Sequence, residues 1–456
     1  MMRLKRIIGA QAAKLWLERG PVSLKNRLGE SENHGAPPPE QESNLEIRER
    51  VTQILESVRQ QGDKALRKFS LIYDGVELHQ IRVPGETLDA AREKLPAGLK
   101  DDVLTMAAVL KKGVEMQLSS FQDKEIEIEP GIWAGQKIIP LERVGVYVPG
   151  GRYPLFSSLV MGVVPAQAAG VTGIAVCSPP AKQRRQNDLI LGVASLLGVS
   201  EVYQIGGAQA IGALAWGTET VKAVDKIVGP GNKYVREAKR LVFGEVGLDC
   251  LAGPTEIMII GDESSHPEFI AADLVAQAEH DQEAQCILVV LNDELADEVE
   301  KYLEKVLREV SSGEVAENAL KNNGVVVIVS TVEEAIEVAN TKAPEHLELQ
   351  VKEPHRLIPG LKHFGTLFVG SWSGEAIGDY CGGVNHILPT GRTARYRGGL
   401  NGGDFVKIVT TLRVNEEGAK RLGPLAQRLA QREGLRGHAY SVGVRLAKSQ
   451  DINIKY

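Results

Sequence analysis

The feature that most constrains this chain is a series of short, wholly apolar segments, each closed by a turn and followed by an amphipathic stretch. From Leu141 onward RVGVYV ends in Pro149-Gly150-Gly151, GIAVC in Ser178-Pro179-Pro180, EVYQI in Gly206-Gly207, and Lys226-Ile227-Val228 in Gly229-Pro230-Gly231. IMII after Glu256, ILVVL after Cys286, VVVIV after Gly324 and TLFV after Gly365 repeat the theme. Strands without polar alternation have both faces buried, which is the mark of parallel sheet covered by helices. There are too many such units for one small mononucleotide-binding half, so the reading is an α/β chain with two doubly wound parallel sheets.

The flanks differ. Residues 29–44 are polar with three consecutive prolines and read as a loop or linker. Ile47, Val51, Ile54, Leu55 and Val58 then recur at helical spacing, with Asn44 placed to cap the start and Gly62 to end it. Further helix over 101–116 makes the first 120 or so residues mostly helical. Residues 381–404 are dense in glycine and lack periodicity, as a flexible lid or a plain loop would. A helix over 416–432 follows, with Leu422, Leu425, Ala426 and Leu429 on one face.

Composition removes several classes. The 456 residues exceed what one core usually supports. No apolar run approaches the ~20 residues of a membrane span, and Lys14, Glu18 and Arg19 break the N-terminal apolar stretch, so it is no secretory signal. A formal net charge of −6 argues against a general nucleic-acid binder. Cys177, Cys250, Cys286 and Cys381 are too far apart for a zinc knuckle or a CxxC redox motif. Scattered thiols point to a reducing cytoplasm.

Chemistry-bearing residues are few. Pro149-Gly150-Gly151-Arg152-Tyr153 echoes Pro230-Gly231-Asn232-Lys233-Tyr234. These are either two similar turns or two phosphate- or ribose-facing loops at the carboxyl edge of a sheet; no G-x-G-x-x-G fingerprint decides between them. Of the nine histidines, His34, His79, His266, His355 and His363 lie in polar or charged turns and read as solvated surface. His280, His346, His386 and His438 keep polar or carboxylate company. Gln277 and His280, three apart on an expected helix, share a face that either faces water or offers an amide oxygen and an imidazole to a metal. With Asp379 and a further histidine the set has two nitrogens and two oxygens, which suits zinc. Glu345-His346 follows Pro344 at an expected strand-to-loop transition, and is either a solvated pair or a proton-transfer pair.

Taken together these motifs resemble the histidinol dehydrogenase family along nearly the whole chain. The resemblance is carried by VGVYVPGGRYPLFSSLVMGVVPAQAAGV, QIGGAQAIGALAWGTETV, KIVGPGNKYVREAKR, LAGPTEIMII, LVAQAEHDQEAQCIL, APEHLEL, GDYCGGVNHILPTG and EGLRGHA, in that order. It implies an intertwined homodimer built from two Rossmann-like domains, with a helical N-terminal region and a small C-terminal dimerisation segment. The implied partition is 1–140 (helical, part of the first core domain), 141–250 (Rossmann-like, with NAD-contacting loops), 251–390 (Rossmann-like, with zinc and acid/base residues) and 391–456 (the dimer segment). It further implies oxidation of L-histidinol through L-histidinal to L-histidine with NAD and one zinc ion per subunit. Residue by residue, Gln277, His280, Asp379 and His438 match the family's zinc ligands, His438 serving the partner's site. Glu345 and His346 match the acid/base pair, Tyr147, Gln209 and Asn232 the NAD contacts. Thr255, His386 and Glu433 match substrate contacts, and Gln277, His280, His346, Asp379 and His438 also border the substrate.

Three departures stand out. Thr255 replaces the serine of many members, keeping the hydroxyl. Residues 29–44 look like an insertion. Arg392, Arg395 and Arg397 make the segment after Thr390 unusually basic. That last feature raises a same-fold NAD- and zinc-dependent dehydrogenase of an anionic alcohol, such as a sulfonated propanediol, as the alternative. A zinc hydrolase, with Glu345 activating water and no redox cofactor, is a more distant one.

Overall fold

The computed structural model describes residues 2–19, 43–150, 154–180 and 184–451. The linker reading of residues 29–44 falls almost wholly outside them, as do His34 and the Gly151-Arg152-Tyr153 half of the first echoed turn.

In chain order the strands are β1 (Lys5–Ile8), β2 (Lys124–Glu129), β3 (Ile132–Pro140), β4 (Arg143–Tyr147), β5 (Gly173–Cys177), β6 (Glu201–Tyr203), β7 (Lys226–Val228), β8 (Gly247–Leu248), β9 (Glu256–Gly261), β10 (Gln285–Val290), β11 (Val325–Ile328), β12 (His346–Gln350), β13 (Thr366–Val369) and β14 (Val406–Val414). They form two parallel sheets and one antiparallel one. The first parallel sheet has the order β6-β5-β4-β7-β8, the second β1-β11-β10-β9-β12-β13. The apolar runs are thus strands of two helix-covered parallel sheets, with β6 and β13 at their edges, and the α/β reading stands. Val144, Val146, Val176, Ile257, Ile259, Leu288 and Val326 are fully shielded from solvent. One face of the first sheet packs against the helices Gly85–Glu93, Ala97–Leu118 and Phe156–Ala168, the other against Asn44–Gln61, Gly207–Trp216 and Lys233–Val242. The second sheet is covered in the same way, by Pro267–Ala278, Asp293–Glu309 and Gly313–Asn323 on one face and by Ala10–Arg19 and Val332–Lys342 on the other.

Three local outcomes differ from the sequence reading. The cap of the helix Asn44–Gln61 is Ser43, not Asn44: Ser43 accepts from the Glu46 N–H while the Glu46 carboxylate accepts from the Ser43 N–H, a reciprocal capping box. β1 adds to the edge of the second sheet beside β11, and the helix Ala10–Arg19 that follows it covers the same sheet, whereas the helices from Asn44 onward pack on the first. The third sheet, with β3 between β2 and β14, ties residues 124–140 to the C-terminal segment. Its strands carry exposed side chains on both faces and gave no clean alternation to read. The C-terminal helices Glu416–Arg432 and Arg436–Asp451 pack on each other beside this sheet. Among the described residues no helix is long and apolar enough to cross a membrane.

Candidate active site

Two regions collect the residues singled out above. The first is the carboxyl edge of the first sheet. Tyr147 ends β4, is 2% exposed, and its hydroxyl accepts from the Gly207 N–H at 3.1 Å. Burial raises the Tyr147 pKa, so the phenol stays neutral. Gln209 sits buried in the first turn of the helix Gly207–Trp216. Asn232 is the N-cap of Lys233–Val242, accepting from the N–H groups of Tyr234 and Val235 at 3.0 and 3.1 Å. Two helix N-termini thus open on one sheet edge, next to β4, the geometry that favours a phosphate. The turn at Gly229 is held by a buried pair absent from the sequence reading. Asp249 accepts from the Gly229 N–H at 2.7 Å and from Lys239 Nζ at 2.6 Å, and Lys239 also donates to the Gly229 carbonyl. Gly229 has φ +117°, and a Cβ there would overlap the Tyr147 carbonyl, so only glycine fits.

The second region lies at the amino ends of β9 and β12. Glu345-His346 does not mark a strand-to-loop transition, as expected, but the entry from the helix Val332–Lys342 into β12. Pairing of His346 with Ile257 sets Glu345 beside the start of β9. There Glu345 Oε2 accepts from the Thr255 hydroxyl at 2.6 Å and from the Glu256 N–H at 2.8 Å. His346 Nδ1 faces the Glu256 carbonyl at 3.1 Å. A carbonyl only accepts, so Nδ1 carries a proton, and Nε2 is the position at which the ring gains or gives up its second one. That Nε2 is buried without a hydrogen-bond partner among the described residues, 3.6 Å from Asp379 and 3.8 Å from Glu375.

Charge and burial set the electrostatics. Burial pushes Glu345 up to about 7, against the pull of His346, the Thr255 hydroxyl and the Glu256 N–H. Burial works against the imidazolium of His346, but Glu375, Glu345 and Asp379 outweigh it and lift its pKa well above the ordinary histidine range. Glu375, wholly buried, is driven upward by desolvation. Asp379 is held below the usual range because His346 outweighs its desolvation. His386, partly buried, is lowered by desolvation; its Nδ1 donates to the Asp379 carbonyl at 3.0 Å and its Nε2 lies 3.3 Å from Ser158 Oγ. The glycine-rich segment therefore links this cluster to the helix Phe156–Ala168 of the first sheet.

His280, Glu375 and Asp379 place one potential ligand atom each within 4.8 Å of one another. One nitrogen and two carboxylates is a donor set that zinc accepts, and the residues present fit such an ion. Gln277 ends at the same place, on the last turn of Pro267–Ala278, with His280 two residues beyond the helix. Its amide satisfies both ends when the NH2 donates to Glu375 and the oxygen faces Thr255 and the Glu256 N–H. His438 and Glu433 are exposed on the C-terminal helical pair, and His438 is not in the donor group of its own chain.

Glu375, Glu256, Glu348 and Lys342 belong to this neighbourhood and were not singled out from sequence. The available signal was a charge beside or inside an apolar strand, Glu256 before IMII and Glu348 within HLELQ, and Glu375 one helical turn before Asp379. Two of the three arginines are engaged elsewhere: Arg397 donates to Asp404 at 3.1 Å and Arg395 to the Asn340 carbonyl at 3.2 Å.

Comparison with known proteins bears on this site. The family model described as histidinol dehydrogenase matches residues 38–446. The histidinol dehydrogenase of Gluconobacter oxydans (strain 621H) is 41% identical over 405 residues, covering 88% of this chain and 94% of that protein. That of Aquifex aeolicus (strain VF5) is 44% identical over 402 residues, covering 88% and 92%. The crystal structure of histidinol dehydrogenase from Elizabethkingia anophelis superposes with a TM-score of 0.86 at 32% identity, covering 98% of each chain.

Proposed function

Because this chain belongs to the histidinol dehydrogenase family, oxidoreductases of histidine biosynthesis, we propose that it oxidises L-histidinol through L-histidinal to L-histidine, using NAD and one zinc ion per subunit. The observation that carries the reading is the buried Glu345–His346 pair, fixed on β9 and set against His280, Asp379 and Glu375.

Zinc would be held by His280 and Asp379, by Gln277 with its amide turned so that the oxygen leaves Thr255 and faces the ion, and by His438 from the partner subunit; when bound it would supply Lewis-acid polarisation of the hydroxyl and orientation of the substrate. The chain's own residues do the rest. His346, its Nδ1–H fixed on Glu256, accepts the hydroxyl proton at Nε2 as the hydride leaves carbon. In the second oxidation Glu345, near neutrality in pKa, takes a proton from water adding to the aldehyde. The Thr255 hydroxyl and the Glu256 N–H hold Glu345 Oε2 in place for this step. Tyr147, Gln209 and Asn232 border the dinucleotide, with the two helix N-termini facing its phosphates.

The homodimer belongs to the same proposal. Ile408, Leu412 and Tyr440 are more than half exposed, and Leu425 and Leu429 nearly or just so, on the sheet and helices that carry Glu433 and His438. An apolar surface of this kind suits burial against a second copy, and it would carry His438 and Glu433 into the partner's site. The four cysteines are unpaired, which supports a cytoplasmic setting. With Arg395 and Arg397 bonded to Asn340 and Asp404, no observation favours an anionic alcohol.

The test is zinc-dependent NADH formation from L-histidinol. Chelator-treated protein is expected to lose it and to regain it on adding zinc. Folded, zinc-loaded protein that forms no NADH from histidinol overturns the reading.

A further inference from the structure

Glu256 occupies an unusual position. Its N–H donates to Glu345 and its carbonyl accepts from His346, so both members of the acid/base pair hang on one residue's backbone. Its side chain is buried, 2% exposed, at the head of an apolar strand. Oε1 is 2.8 Å from Lys342 Nζ and accepts from the Gly391 N–H at 3.1 Å; Oε2 has no partner among the described residues. Lys342 is itself buried, and its ammonium also donates to Gln285 on β10 at 2.7 Å.

Lys342 is also the last residue of its helix, three before Glu345. Ala343 follows in the left-handed region at φ +50°, an uncommon conformation for a residue with a Cβ. Then comes Pro344, and then the pair. One ammonium therefore fixes both ends of the arrangement: the turn that delivers Glu345 and His346, and the β9 residue whose backbone receives them.

We propose that Lys342 is a positioning residue for the reaction: through its buried ion pair with Glu256 it holds the acid/base pair in reacting register. It touches neither substrate nor cofactor. This rests on the acid/base reading of Glu345 and His346. Without the ammonium the Glu256 carboxylate is left uncompensated in the interior and must be neutralised or shift. A shift of about 1 Å at the pair is enough to cost about 10²-fold in rate.

The test is K342M in the full-length, zinc-loaded dimer, with kcat, KM, zinc content and thermal stability measured together. The expected result is a kcat lower by about 10²-fold, with KM for histidinol and NAD within about twofold of wild type and full zinc content. The double variant E256Q/K342M, which removes both charges, is expected to recover about tenfold of that loss. A wild-type kcat in K342M overturns the proposal, as does a loss confined to KM or explained by missing zinc. If K342M does not fold, K342Q, which keeps an N–H donor, is judged by the same measures. If K342Q does not fold either, the ion pair is a determinant of the fold and the positioning role is refuted. E345Q is measured alongside. If E345Q turns over normally, it is the acid/base reading that fails; if E345Q is dead and K342M is normal, only the present inference fails.

Discussion

Thr255 is a small residue with a measurable role. Its hydroxyl donates to Glu345 and helps to hold the carboxylate ionised against the desolvation that lifts it to about 7. Thr255→Val keeps the shape and removes that donor. The Glu345 pKa should then rise further. On the proposed function the ionised carboxylate is the active form in the second oxidation, so an acidic limb of the kcat–pH profile is expected near pH 7 in the wild type and should move to higher pH in T255V. An unmoved limb would show that Glu345 does not set it. On the same proposal His346→Asn removes the ring nitrogen that would take the alcohol proton, and kcat is expected to fall by about 10²- to 10⁴-fold with KM little changed. At this scale the sequence was informative about identity and silent about environment. Glu345, His346, His280 and Asp379 stood out as candidates from their neighbours, the resemblance gave them roles, and the structure brings them together. Glu375 and Glu256 were not, because what gives them a role is burial against residues distant in the chain.

Between residue and molecule, the first sheet is braced across its strands. Arg143 on β4 reaches past β5 to Glu201 on β6, whose carboxylate also accepts from the Tyr203 hydroxyl at 2.9 Å. The Arg143 guanidinium holds the Glu201 pKa down at about 2. A carboxylate whose folded pKa is depressed stabilises the fold above its unfolded pKa, about 4.3, and loses that contribution as pH falls through the folded value. Glu201→Gln should therefore lower Tm at pH 7, by a few degrees at most for a partly exposed pair. The difference from wild type should shrink between pH ~4.5 and pH ~2; a gap that stays constant over that window would contradict this account. Apart from β1, the two-residue β8 and β12, whose HLELQ carries Glu348 and Gln350, the strands of both parallel sheets were legible, since burial on two faces leaves an uninterrupted apolar run. β1 was not, because the contacts that make it a strand lie in β11. Nor were β2, β3 and β14, whose mixed faces suit partial cover by another surface better than an interior.

For the whole molecule, the sites differ in which end of a sheet they use. The proposed cofactor residues line the carboxyl edge of the first sheet, as open α/β folds favour. The acid/base pair stands at the amino ends of β9 and β12 in the second. The segment 381–404 joins them, with Asn385 donating to the Met161 carbonyl at 2.8 Å and His386 beside Ser158. The remaining proposed ligand, His438, stands exposed on the C-terminal helices. If each site borrows His438 from the partner, mixing inactive H438A with inactive H346N after subunit exchange should restore activity. About a quarter of the wild-type level is expected, since half of the dimers are mixed and each then has one intact site of two. No recovery in verified mixed dimers would place His438 in the site of its own chain or outside the reaction.

The central proposal is that one site carries L-histidinol through two successive oxidations to L-histidine. The measurement that tests it most directly is the amount of NADH formed per L-histidinol consumed by zinc-loaded protein, with histidine identified as product. Two NADH per histidinol, lost on zinc chelation, is the expected result. One NADH per histidinol with free aldehyde accumulating would contradict the account, because the buried Glu345 would then have no water to activate.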